Sequence, residues 1–174
     1  MLLPLLLALT AQTTPLPPPA ANPPRSPKPA NKLPPATPLP YEDADAAAVL
    51  TPINALFVSL AARDGTTIAA SVIPEGRATG VANKPDGSQT VRSLSWAEFA
   101  ANLKPGPERY EERISNPAID IDGDIAMVWA PYVFVIDGKV HHCGVDHFDL
   151  VRQSGAWKIL NITWSSRTTD CPAQ

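Results

Sequence analysis

A chain of 174 residues with a formal charge of −3 has room for one ordinary domain, and it lacks the basic stripe that a nucleic-acid partner requires. Its 21 prolines are unevenly spread, so the length available to a folded core is shorter than the total. Its two cysteines, Cys143 and Cys171, lack zinc-site spacing and suit one disulfide in an oxidising compartment.

Residues 1–13 open with the apolar run LLPLLLAL, followed by small residues near Ala11. This reads as a secretory signal peptide, although no Lys or Arg precedes the run. The run is far short of the roughly 20 apolar residues of a membrane span, so stable membrane insertion is not expected. Residues 14–42 form a proline-rich linker. Proline has no amide donor and fixes its own φ, so this stretch reads as a disordered, semi-rigid spacer. A periplasmic or secreted location follows from the signal and the paired cysteines.

The folded domain is expected over residues 43–171. Residues 43–63 carry Val49, Ile53, Leu56, Phe57 and Leu60 at helical spacing. Either Asp43 or Asp45 caps this helix and Pro52 kinks it, or Thr51 caps a helix that starts at Pro52. Asp64-Gly65 ends it, and a second short helix is expected from Thr66 to about Val72. Residues 77–81 and 88–93 read as short strands around the turn formers of Asn83-Lys84-Pro85-Asp86-Gly87. Ser95 and Glu98 have capping-box spacing and open a helix over about 96–103, stopped by Pro105-Gly106-Pro107.

From Tyr110 onward the period changes to two. Residues 110–120, 124–136, 139–152 and 156–166 read as four long strands. Asp122-Gly123, Asp137-Gly138 and Ser154-Gly155 supply the turns. Pro131 suggests a bulge or an edge within the second of them. Helices first and a meander of antiparallel strands last argue an α+β fold, with helices packed on one face of a curved sheet.

In this order, the helix, Asp64-Gly65, Ser95-Trp96-Ala-Glu-Phe99, Ile121-Asp-Gly-Asp-Ile-Ala126 and Gly155-Ala-Trp157-Lys-Ile159 resemble the nuclear-transport-factor-2-like superfamily. More narrowly, they resemble the bacterial SnoaL-like and lumazine-binding proteins. The resemblance spans residues 43–167. It implies a cone, a bent sheet wrapped around helices and open at one end to a pocket, and a homodimer built through the outer sheet face. It does not imply one function, because relatives range from isomerases and dehydratases to proteins without known activity.

Alternation along the third long strand places His142, Gly144, Asp146, Phe148 and Leu150 on one face, taken as the core side because of its apolar pair. A two-residue turn at 137–138 would set Asp146 opposite Trp129 and His142 opposite Val133. A three-residue loop at 153–155 would pair Phe148 with Leu160, Asp146 with Ile162 and Gly144 with Trp164. Asp146 would then lie among Trp129, Ile162 and Trp164, where desolvation raises a carboxyl pKa towards that of a general acid or base. The alternative is a buried Asp146 paired with Arg113, Arg167 or a Trp indole N–H.

His142 lies about 13 Å along the strand from Asp146, so the two cannot touch but can flank a ligand. Trp96, Phe99, Tyr110 and Phe148 are expected in the core or pocket wall. Glu112 is the glutamate expected to face inward. The cluster of His141, His142, Cys143, Asp146 and His147 is split between two faces, which works against a metal site. Cys143 and Cys171 are the disulfide candidates. No cofactor is indicated.

Three functions fit these features. The first is a domain holding a small, partly apolar molecule. The second is a small cofactor-independent isomerase, dehydratase or hydrolase that uses Asp146. The third is a dimeric interaction domain without a ligand.

Overall fold

The computed structural model describes residues 44–172, so the signal peptide, the proline-rich linker and the Asp43 cap lie outside the described residues. Helix α1 runs from Ala44 to Ala62. Its buried positions include Ala46, Val49, Ile53, Leu56 and Leu60, which recur every three or four residues and form one stripe. Pro52 lies inside the helix on the buried side, so a start at Pro52 is ruled out. The Thr51 hydroxyl donates to Ala47 O (3.3 Å) instead of capping. By length and composition α1 could cross a membrane, but here its apolar stripe is occupied by the core.

The left-handed residue that ends α1 is Arg63 (φ 53°). Asp64 then caps a short 3₁₀ helix, Gly65–Ala70, by accepting from the Thr66 amide at 2.9 Å. This is the expected second short helix, of 3₁₀ type and ending at Ala70. Strands β1 (Arg77–Asn83) and β2 (Gln89–Ser95) form a hairpin. Helix α2 (Trp96–Asn102) begins with the expected capping box, Ser95 and Glu98 each satisfying the other's amide.

The first long strand divides into β3 (Tyr110–Ile114) and β4 (Ala118–Asp122). Both pair with β5 (Ile125–Ile136). Ile114 pairs with Tyr132 and Ala118 with Trp129, so Ser115, Asn116 and Pro117 face only two partner residues. One residue is extra, and Asn116 takes up the strain with φ 44°. Pro131 sits opposite this break. Its carbonyl accepts from the Ser115 amide (2.9 Å), so the side on which proline lacks a donor faces the gap.

Strands β6 (Lys139–Gln153) and β7 (Ala156–Ser166) complete a seven-stranded sheet of order β2-β1-β7-β6-β5-β3, with β4 also on β5. The pairings are antiparallel except β1 with β7, which is parallel. The sheet is therefore mixed rather than wholly antiparallel. The α+β architecture with helices packed on a curved sheet is as expected. Its core joins the α1 stripe to Val128, Phe148, Leu150 and Ile159 on the concave face.

Two bulges correct the expected registers. Asp137-Gly138 is a two-residue turn with both φ positive, and Val135 pairs with Val140 as anticipated. His141 is then skipped, so Phe134 pairs with His142 and Ala130, not Trp129, pairs with Asp146. Ser154-Gly155 is a two-residue turn rather than a three-residue loop. Leu160 is skipped, so Phe148 pairs with Ile162 and Asp146 with Trp164. Beyond Leu160 the second correction moves the register by two and keeps the side chains on their expected faces. The first moves it by one and exchanges the faces of β5.

Candidate functional site

The β6 face chosen from alternation is the concave one: Gly144, Asp146, Phe148 and Leu150 are buried and His142 is half-buried. The pairings set these residues in rows across the sheet. Glu112, Phe134 and His142 form one row, Tyr132 and Gly144 the next, and Ala130, Asp146, Trp164 and Gly80 a third. At Gly144 a Cβ would lie 1.8 Å from Ser165 O, so only glycine allows β6 and β7 to approach there. At Gly80 a Cβ would lie 2.6 Å from the Trp164 ring, so the indole lies over bare backbone.

A cavity of about 140 Å3 sits above these rows. Helix α1 supplies Leu56, Phe57 and Leu60 to its wall, and α2 supplies Phe99. The sheet supplies Glu112, Tyr132, Phe134, His142 and Asp146, with Ile162 and Trp164 from β7. The volume is below the several hundred Å3 of a drug-sized site. It is close to the roughly 150 Å3 of an apolar cavity that accepts benzene.

The structure thus gathers Asp146, His142, Glu112, Phe99, Ile162 and Trp164 around one cavity. It does not bring Trp129 there. Trp129 pairs with His147 on the opposite face, its ring 5.9 Å from the imidazole, because the His141 bulge reversed β5. Trp96 and Phe148 belong to the core behind the wall. The Trp96 indole donates to Leu160 O (2.9 Å) and packs edge-on against Phe99, while Phe148 meets Phe57 edge-on. Tyr132 and Phe134 were not singled out from sequence, since the expected register turned them outward. The signal for Leu56, Phe57 and Leu60 was the helical stripe itself.

The polar end of the cavity is a pair of carboxyls. Asp146 is 1 % exposed, and no N–H or O–H donor among the described residues reaches its Oδ2. The group facing it is the Glu112 carboxyl, close enough for the two to hydrogen-bond. The bend of the sheet brings them together across β5. Such a bond needs one proton between the two acids. Desolvation, and then the Glu112 charge, push the Asp146 pKa well above the usual carboxylate value. Desolvation raises Glu112 to about 7.

Of the alternative partners of Asp146, Arg113 is bidentate with Glu111 (2.5 and 2.7 Å). The Arg167 backbone exchanges bonds with Cys143 (2.9 and 3.0 Å), and its charge acts on Tyr132. Tyr132 is buried, and its hydroxyl donates to Ser165 O (3.0 Å). Desolvation and the two nearby acids hold that phenol protonated. His142 stacks on Phe134 at 4.9 Å and faces Tyr132 edge-on. Desolvation, with His141 beside it, lowers its pKa to about 4, so its ring is neutral near pH 7. A disulfide joins Cys143 to Cys171 and ties the chain end back to β6. Among the described residues no group of three His, Cys, Asp or Glu could hold a metal ion.

The chain is similar over residues 44–165 to the family described as "Putative lumazine-binding". None of the curated proteins compared with it matches. Among solved structures, it is similar to an NTF2-like protein of unknown function from Shewanella baltica OS155. That pair has 16 % identity and a TM-score of 0.53, covering 71 % of this chain and 94 % of the other. A protein of unknown function with a cystatin-like fold from Nostoc punctiforme aligns at 14 % identity and a TM-score of 0.56, over 72 % and 92 %. An NTF2-like protein from Cytophaga hutchinsonii aligns at 12 % identity and a TM-score of 0.54, over 70 % and 97 %. At these identities the structures establish the fold, and the family model establishes membership. The chain belongs to the putative lumazine-binding family and has the NTF2-like α+β fold.

Proposed function

We propose that the domain binds a compact, partly apolar molecule of about one aromatic ring in the cavity between α1 and the sheet. The observation that carries this reading is an aromatic-walled cavity ending in a pair of carboxyls, Asp146 buried and Glu112 half-buried. Apolar walls supply the driving force, and the pair fixes orientation. An oxidising periplasmic or extracellular location fits the disulfide, with residues 1–13 as the export signal. The unfilled cavity speaks against an interaction domain with a vestigial pocket. Dimerisation through the outer sheet face is compatible with ligand binding.

Toluene is a suitable neutral probe, read by ligand-observed NMR. Saturation transfer from the wild-type protein is expected. Ile162→Trp, which places an indole in the cavity, is expected to weaken the signal at least about tenfold, a loss of roughly 1.4 kcal/mol. Equal signals from two folded proteins would place toluene elsewhere and remove support for the pocket.

A second reading, proton-transfer catalysis, is favoured by one further observation: Glu112 gives Asp146 a second ionisable group in the same cavity. Two acids sharing one proton separate into a donor and an acceptor near neutral pH. Under this reading kcat for an isomerisation or dehydration follows ionisation of the pair, with an inflection near pH 7 set by Glu112. Asp146→Asn and Glu112→Gln would each lower kcat by about 100-fold or more. If the variants bind toluene and turnover keeps its pH profile, the pair is an anchor and not an acid–base device.

A further inference from the structure

We infer that the ligand is an organic cation, a primary or secondary ammonium whose N–H groups bond the Glu112–Asp146 pair while its apolar part lies among the aromatic rings. This rests on the binding reading above and names the chemical class of its ligand.

The argument starts from what the cavity lacks. It presents two carboxyls and no Lys or Arg. Arg113, beside Glu112 in sequence, is bidentate with Glu111. Asp146 lines the cavity, and its Oδ2 is buried and accepts from no donor among the described residues. A buried acceptor in this state favours a ligand that brings its own donor. A carboxylate or phosphate ligand would bring a further negative charge against the acid pair. A neutral alcohol would satisfy one oxygen and leave the charge uncompensated. An ammonium satisfies the orphan oxygen and neutralises the pair together.

The walls point the same way. Phe57, Phe99, Phe134, Tyr132 and Trp164 surround the space, and the faces of such rings attract cations. A quaternary ammonium would use the rings but could not donate to Oδ2, so a primary or secondary amine is the better fit. The 140 Å3 volume suits a single ring or a short branched chain.

The other titratable groups that face the pair are Tyr132 from β5 and His142 from β6. α1, α2 and β7 contribute apolar and aromatic side chains. Both Tyr132 and His142 are neutral near pH 7. Proton and ammonium therefore compete for the same two carboxyls. Affinity should weaken by up to about tenfold per pH unit below the titration of the pair.

The test uses benzylammonium, benzyl alcohol and benzoate, matched in size, with calorimetry and ligand-observed NMR on the full chain. Benzylammonium is expected to bind at least about tenfold more tightly than benzyl alcohol, with benzoate weakest. It should weaken between pH 8 and pH 5, whereas the alcohol should not. Asp146→Asn and Glu112→Gln should each remove the preference while keeping the alcohol. Should either variant fail to fold, the pH dependence of the wild type decides alone. Alcohol or benzoate binding as tightly as the amine would overturn the cation and leave the pocket standing. If none of the three binds and toluene does not bind either, the pocket itself is refuted and the inference falls with it.

Discussion

Removing the Cys143–Cys171 disulfide, by reduction or by replacing both cysteines with alanine, should lower stability by about 3–4 kcal/mol. The bridge closes a loop of 28 residues that contains all of β7 and most of β6. Opening it returns loop entropy to the unfolded chain, and the cost grows with loop length. Cys143 is also 1 % exposed, so the double alanine variant loses packing as well as the crosslink. For a domain of this size the fall corresponds to roughly 10 °C in Tm. Thermal melts with and without reductant measure it. A shift of under a few degrees would mean that the Cys143–Arg167 backbone pair holds the chain end without the bridge.

Asp146→Asn should stabilise the protein near pH 8 by about 1–3 kcal/mol, the usual cost of a buried polar group without a partner, and have little effect near pH 4. The sign follows from the raised carboxyls. Burial lifts Asp146 above its unfolded value of 3.8, and Glu112 rises from 4.5 to about 7. Between the unfolded and folded values the native state binds more protons than the unfolded chain. Stability is therefore full below about pH 4 and is lost as the pH rises through the folded values. At pH 8 the wild type holds two desolvated carboxyls side by side. Asparagine removes one of them and can donate its amide to Glu112. Urea melts at both pH values provide the comparison. A variant less stable than wild type at pH 8, with wild-type stability flat between the two, would show that the carboxyls are not buried together. A gain in stability at the cost of ligand affinity would be the mark of a functional pair.

Local chemistry in the sequence was enough for the elements. The α1 stripe at Val49, Ile53, Leu56 and Leu60, the capping box at Ser95, and the turns at Asp137-Gly138 and Ser154-Gly155 each act over a few residues. Period-two alternation assigned the concave face of β6, and with it Asp146, because side-chain direction in a strand depends only on parity. The same parity made Trp129 a pocket residue wrongly. One extra residue, His141, reverses every side chain of β5 beyond it. Nothing in the alternating pattern around His141 marks the bulge. It belongs to the bending of the sheet around α1, a property of the whole layer. The break at Ser115-Asn116-Pro117 is half legible, since Pro117 and Pro131 are each poor strand residues, but their facing one another appears only when β3 and β4 share β5.

Asp146 as the buried acid was therefore readable in one dimension. Its meeting with Glu112, from a strand more than thirty positions earlier, was decided only by the tertiary structure. The curved sheet closes the distance between β3 and β6 across the intervening β5.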